Sequence, residues 1–191
     1  YSGADVVSFA YNYENVRLNK GEIRRKDIVY NYRYAGGDVT IYKMTGKQLK
    51  DYMEWAADYF DTIQPGDTEY RYNSERAGRK YVTFDIFGGV KYKIDLRNEK
   101  GNKITDLMLV NGKEITSEME LKVGMNAYRF EQLARKGGIF DGQKIPVLWA
   151  SKEKIGEIDG TIQNMMIDYI RNVKNGVIEG KSHNNWEIIG L

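Results

Sequence analysis

One stretch near the middle of the chain restricts its fold more than any other. Asp38 to Met44 (DVTIYKM) alternates as a β-strand does, with Val39, Ile41 and Lys43 on one face and Thr40, Tyr42 and Met44 on the other. It runs straight into Thr45-Gly46-Lys47-Gln48, a capping box with Thr45 as N-cap and Gln48 reaching back. Leu49, Tyr52, Met53, Ala56, Tyr59 and Phe60 then recur three and four residues apart, an apolar stripe of roughly three turns at ~3.6 residues per turn. Pro65-Gly66 is the expected stop. A strand feeding a one-faced helix must bury that face against a sheet, so the stripe is core rather than a cofactor-binding motif.

The rest of the pattern is mostly strands. Ala4 to Ala10 reads as a buried strand and Lys26 to Tyr32 as a short helical turn. Asp67 to Lys80 reads as a charged loop. Tyr81 to Phe87 places Val82, Phe84 and Ile86 on one side, and Gly88-Gly89 reads as a hairpin turn into Val90 to Leu96. Ile104 to Val110 is closed by Asn111-Gly112, a type I′ turn signal. Met119, Leu121, Val123 and Met125 mark a further strand. Arg129 to Lys136 reads as a short helix ending at Gly137-Gly138. Ile145 to Ala150 reads as a buried strand and Trp186 to Ile189 as the last one. A second helix is expected from Asp159 to Asn175, with the stripe Ile162, Met165, Met166, Tyr169, Ile170 and Val173, and Gly176 as its C′ residue. Hairpins of strands with two long amphipathic helices indicate an α+β fold. At 191 residues with no linker-like or repeated segment, residues 1–191 read as one domain.

Composition narrows the chemistry. With no Cys, thiolate zinc sites, iron–sulfur clusters and thiol catalysis are excluded. The one His, His183, lies in a polar run (KSHNN) that reads as a solvated loop, so a metal centre built on several imidazoles is excluded too. No nucleophile elbow, P-loop or Gly-x-Gly-x-x-Gly is present. A net charge of +2 argues against binding a nucleic-acid polymer. No run of about 18 apolar residues exists to insert in a membrane. Catalytic residues are therefore expected to be absent, and the balance tips toward binding. The chain opens at Tyr1-Ser2-Gly3, as an excised piece would, without a visible signal peptide.

The positive signal is the aromatic content, 15 Tyr with 6 Phe and 3 Trp, because amphipathic rings suit stacking on planar ligands. Tyr34-Ala35-Gly36-Gly37 sets a ring beside a flexible backbone, and Tyr128 precedes Gly137-Gly138. Turns account for those glycines equally well. Lys20, Arg24, Arg25 and Lys26 form a basic cluster, either a solvated face or a phosphate contact. Glu114, Glu118 and Glu120 read as solubilising.

Several segments resemble the C-terminal domain of the 5′-nucleotidase family, in particular its bacterial 2′,3′-cyclic-nucleotide 2′-phosphodiesterase/3′-nucleotidase branch. They are Asp38 to Trp55 (DVTIYKMTGKQLKDYMEW), Tyr81 to Leu96 (YVTFDIFGGVKYKIDL), Ile104 to Ile115 (ITDLMLVNGKEI), Asn126 to Phe140 (NAYRFEQLARKGGIF) and Asn184 to Ile189 (NNWEII). The resemblance implies a domain that clamps a nucleoside base between two aromatic rings. It also implies a separate N-terminal metallophosphoesterase domain in the same parent chain, which holds divalent metals and the catalytic residues. The matching positions put the rings on Tyr34 and Tyr128, and the implied substrate set adds Asn126, Arg17, Asp38 and Gly138. Phe9 to Tyr13 (FAYNY) stands where the wider family has a Gly-Gly-Ile-Arg loop, and Arg17 lies nearby as a substitute. Gly137-Gly138-Ile139 stands where many members have Gly-Gly-Asp, and Gly36-Gly37-Asp38 follows the first ring in place of Asn. By resemblance the parent protein is secreted, cell-surface or periplasmic. The readings outside this family are a glycan- or protein-binding surface module without catalysis, and a protein scaffold.

Overall fold

A computed structural model describes residues 3–11, 18–77 and 84–191. The chain runs β1 (Val6–Tyr11), α1 (Arg25–Asn31), β2 (Val39–Thr45), α2 (Gly46–Ala57) and α3 (Ser74–Ala77). It continues with β3 (Phe84–Gly88), β4 (Val90–Asp95), β5 (Ile104–Leu109), β6 (Glu120–Asn126) and α4 (Ala127–Ala134). Last come β7 (Val147–Ala150), α5 (Ser151–Ile155), α6 (Ile162–Asp168), a π-helical turn (Tyr169–Val173) and β8 (Trp186–Ile189). The fold is α+β, with a five-stranded sheet in the order β3-β1-β6-β2-β7 and a three-stranded sheet in the order β5-β4-β8. Both sheets are mixed: β1–β6 and β4–β8 are parallel, the other pairs antiparallel.

The capping box forms as expected. Thr45 Oγ1 accepts from Gln48 N at 3.2 Å, and Gln48 Oε1 accepts from Thr45 N at 2.9 Å. The next two amide groups donate to the loop that leads into β6, Gly46 N to Met119 O at 2.8 Å and Lys47 N to Ser117 O at 2.9 Å. Leu49, Tyr52, Met53, Ala56 and Ala57 of α2 are buried in one cluster with strands of both sheets, including Met44, Phe87, Val90, Ile94, Ile104, Leu121 and Val123. The helix ends at Ala57, well before Pro65. Tyr59 and Phe60 are buried from the following turn instead, where Phe60 bridges to Tyr72.

Gly88-Gly89 is not a hairpin turn. β3 pairs with β1 while β4 pairs with β5 and β8, so the glycines turn a corner between two sheets. Gly89 has φ +87°, and a Cβ there would stand 2.1 Å from the Asp5 carbonyl oxygen, so only glycine fits. Asn111-Gly112 differs as well. Gly112 is left-handed at φ +85° and Asn111 is not, with Gly112 N donating to Leu109 O and Leu109 N to Lys113 O. That is a three-residue loop with glycine in the left-handed position rather than a type I′ turn.

Two strands expected to be buried are only partly so. In β1, Val6 is buried whereas Phe9, on the face away from the core, is exposed. β7 is an edge strand that pairs only with β2, which leaves Val147 and Leu148 exposed. The face of β3 is inverted relative to its apolar alternation: Asp85 and Phe87 are buried, and Ile86 is not. Val82 lies outside the described residues. The second helix is shorter than its pattern, seven residues followed by the π turn. Of its residues only Gln163 is buried, while Tyr169 and Val173 are exposed. Asn175 and Gly176 are both left-handed at its end, and Gly176 N donates to Ile170 O at 2.7 Å.

Candidate functional site

The two candidate rings sit where elements of the large sheet end. Tyr34 follows α1 and stands 73 % exposed in the loop that leads into β2. Gly37 N donates to Tyr34 O at 3.1 Å and closes that loop. Tyr128 is the second residue of α4, which begins directly after β6, and is 61 % exposed. β2 and β6 are antiparallel neighbours with Val39 opposite Asn126, so the start of one strand lies beside the end of the other. That pairing brings the two loops together although 94 residues separate the rings in sequence (128 − 34).

Asn126 occupies the junction. Its Oδ1 accepts from Arg129 N at 3.3 Å as the N-cap of α4, and its Nδ2 donates to the Tyr32 hydroxyl. Tyr32 in turn lies edge-on to Tyr34, with ring centroids 5.7 Å apart at 66°. Burial pushes the Tyr32 phenol up to about 12 against the lowering bond from Asn126, with smaller upward contributions from Tyr34 and Asp38. Asp38 is half-buried, and its backbone is held on both sides: Ala127 N donates to its carbonyl at 3.3 Å, and it bridges to Thr161. Tyr34, Tyr32, Asp38, Asn126 and Tyr128 thus share one end of the sheet.

Gly138 has a structural duty. Its N–H donates to Arg135 O at 2.8 Å, and a Cβ would meet Leu133 O at 2.2 Å, so it closes the turn after α4 at a distance no side chain permits. Arg17 lies outside the described residues. His183 is exposed in its loop, as expected. Within the basic cluster, Arg24 pairs with Glu22 at 2.9 Å and Arg25 donates to Asn164 at 3.3 Å, so both are engaged on the surface. Glu114, Glu118 and Glu120 are exposed.

Behind the rings is a polar core network absent from the sequence-based expectations. Asp85 Oδ1 accepts from Arg129 Nη2 at 3.0 Å and Oδ2 from the Tyr52 hydroxyl at 2.5 Å, while Arg129 Nε stands 2.8 Å from Oδ2 in the same ion pair. Tyr52 also reaches Ser8 Oγ at 3.1 Å. The Arg129 guanidinium lies 5.2 Å from the Trp55 ring centre. Burial, and then the Asp85 charge, hold the Tyr52 phenol far above its usual value. Arg129 directly follows Tyr128, so the helix presents a ring outward and a charge inward. The only sequence trace of this is an arginine four residues before Leu133, on the face that helix buries. Also on the packed side of α4, Phe130 stacks on the buried Tyr42 at 3.8 Å between centroids.

Among the described residues no three His, Cys, Asp or Glu side chains group closely enough to hold a metal ion. No helix among them is long and apolar enough to cross a membrane. A hollow of about 550 Å³ lies on the outer face of the small sheet, between Lys91, Lys93, Met108 and Glu187, and contains none of the six candidate residues.

Residues 1–136 match the family model described as 5′-nucleotidase, C-terminal domain. The chain is 31 % identical over 179 residues to the trifunctional nucleotide phosphoesterase protein YfkN of Bacillus subtilis, covering 88 % of this chain and 11 % of that protein. It is 24 % identical over 189 residues to the 2′,3′-cyclic-nucleotide 2′-phosphodiesterase/3′-nucleotidase of Haemophilus influenzae, covering 91 % of this chain and 27 % of the relative. The chain therefore spans well under a third of either relative's length. In three dimensions it is similar to a Staphylococcus aureus crystal structure described as a 5′-nucleotidase in complex with α-ketoglutarate. That match has a TM-score of 0.76 at 22 % identity and covers 98 % of this chain and 34 % of the other. With the family model matching most of its length and the same fold in a solved relative, the chain belongs to the 5′-nucleotidase C-terminal domain family.

Proposed function

We propose that this chain is the nucleoside-binding part of a larger nucleotide phosphoesterase, with Tyr34 and Tyr128 clamping the base. One observation carries the reading: two largely exposed tyrosines, distant in sequence, flank one end of the sheet and are linked through Tyr32 and Asn126. Asn126, with both ends of its amide engaged by the protein, serves the clamp by holding it rather than by touching the base. Arg17 and Asp38 are the candidates for ribose and phosphate contacts.

The family match, and the small share of each relative that this chain covers, support a division of labour between domains. Among the described residues no group of His, Cys, Asp or Glu could hold a metal ion. A metallophosphoesterase domain elsewhere in the parent protein would hold divalent metals and supply Lewis-acid activation of the phosphate ester. What this chain does is bind the base, exclude water from its faces and orient the phosphate toward that domain. The substrate class is a nucleotide, cyclic or 3′ as the name of the Haemophilus influenzae relative indicates for that protein. The parent is extracellular, cell-surface or periplasmic.

Titration of the 191-residue chain with adenosine tests the clamp. Stacking on an aromatic ring contributes about 1–3 kcal/mol per base, so Tyr34→Ala and Tyr128→Ala are each expected to weaken binding by about 5-fold to 150-fold. Unchanged affinity in the double variant refutes the clamp. Hydrolysis of 2′,3′-cyclic AMP by the purified chain with added Mn²⁺ refutes the division of labour. Affinity for glycans with none for nucleosides would return the chain to the class of surface-binding modules.

A further inference from the structure

We propose that Tyr32 is a positioning residue that sets the spacing of the two rings, acting through Asn126 on the helix that carries Tyr128. The inference rests on the base clamp described above and adds a residue outside the set expected to contact substrate.

Tyr32 is tied at every part of its structure. It is the C-cap of α1, and its N–H donates to Ile28 O at 3.0 Å. Its carbonyl accepts from Gln163 Nε2, a buried side chain of α6, at 2.7 Å. Its ring edge supports Tyr34. Its hydroxyl accepts from Asn126 Nδ2, and the backbone of Gly37 closes over that hydroxyl so tightly that a Cβ would stand 2.2 Å from it. The Asn126 orientation is settled by its other end, since only Oδ1 can accept from the Arg129 amide.

The consequence is mechanical. Asn126 caps the first turn of α4, and Tyr128 sits in that turn, so the direction of its ring follows the cap. Tyr34 hangs on the Tyr32 ring. One phenol therefore joins both walls of the slot, and loss of its hydroxyl frees the two walls from each other while leaving both rings in place. Dispersion between stacked faces is steep: a gap of about 0.5–1 Å forfeits a quarter to a half of the well. Like any tyrosine this phenol is uncharged at neutral pH, and burial pushes its titration further away, up to about 12.

A double-mutant cycle in the 191-residue chain, read by adenosine titration, tests the coupling. Tyr32→Phe keeps the ring against Tyr34 and removes only the hydroxyl. It is expected to weaken adenosine binding about threefold to tenfold in the otherwise unaltered chain. In the Tyr128→Ala background the same change is expected to have no further effect, within about twofold, because the wall it aligns is gone. An equal loss in both backgrounds, or none in the first, overturns the inference. If Tyr128→Ala alone leaves the affinity unchanged, the clamp itself is wrong and the positioning role falls with it. Thermal unfolding of each variant separates these results from a folding defect. Loss of binding in both backgrounds together with a matching fall in midpoint is the signature of a purely structural tyrosine.

Discussion

Asp85 is the residue whose removal should cost the fold most. It is 3 % exposed, and its carboxylate accepts from Arg129 Nη2 and the Tyr52 hydroxyl with Arg129 Nε 2.8 Å away in the ion pair. Asp85→Ala would strip the counter-charge from a guanidinium that is itself nearly buried, leaving a charge for which water cannot substitute. Breaking a buried pair by deleting one partner typically costs about 3–5 kcal/mol. Tyr52 retains Ser8, so its own loss is small by comparison. The Trp55 ring, 5.2 Å from the guanidinium, offsets a fraction of the charge. For a chain of this length each kcal/mol moves the thermal midpoint by about 2–4 °C, so the midpoint should fall by about 6–20 °C. Circular dichroism melts and urea denaturation at neutral pH measure it. The companion variant carries Asp85→Leu with Arg129→Met, which replaces both charges by apolar groups of similar size. It should recover most of the loss, because a well-packed apolar pair often matches a buried ion pair. A loss under about 1 kcal/mol for Asp85→Ala, or a double variant no better than the single one, would refute the account of this core.

Two further outcomes follow from the geometry. The Tyr32 and Tyr42 phenols titrate near about 12 in the folded chain, raised first of all by burial, against 10.0 when unperturbed. A raised acid pKa gives stability that is complete below pH 10 and lost as pH climbs toward 12. The midpoint should therefore drop steeply across that window, and less steeply in Tyr42→Phe, with tyrosinate absorbance rising in step with unfolding. Thr45→Ala removes the acceptor for Gln48 N at the start of α2. It should cost about 1 kcal/mol, seen as a midpoint lowered by about 2–4 °C, and restored in Thr45→Ser.

What could be read from the sequence was what short-range chemistry decides. The Thr45 capping box needs only residues three apart, and it forms as its spacing dictates. The strands at Val39–Thr45 and Trp186–Ile189 have local alternation or apolar runs to mark them. Gly88-Gly89 shows where local signals stop. A glycine pair between two alternating runs carries the same local signature whether the chain folds back on itself or crosses between sheets, and the Asp5 carbonyl against Gly89 is 84 residues away in sequence (89 − 5). β3 fails for a related reason. Its apolar alternation favours the face of Phe84 and Ile86, yet Asp85 points inward because Arg129 from a later helix waits there. Charge satisfied over 44 residues leaves no trace in a local period. Family resemblance pointed to Tyr34 and Tyr128 as candidate rings, whereas Tyr32 was one of several closely spaced tyrosines, undistinguished until Asn126 was seen to bond to it.

These long-range contacts meet on α4, and the helix needs them. It has eight residues, fewer than the 12–15 or so at which an isolated helix becomes even marginally stable. Its intrinsic preference therefore cannot hold Tyr128 in one place. Asn126 fixes its first turn, the Arg129–Asp85 pair anchors its inner face to β3, and Phe140 N donating to Leu133 O at 2.8 Å ties its last turn to the loop after it. Each anchor reaches a different part of the fold. Leu133 alone would permit the helix to roll about its axis, since apolar contact is non-directional. The Arg129–Asp85 ion pair restrains that roll, because its Nη2–Oδ1 hydrogen bond is directional and its Nε–Oδ2 contact must stay close at the same time. A charge pair buried where leucine would be the cheaper choice thus fits the proposed clamp, in which the residue beside it presents a flat ring at one angle to the slot.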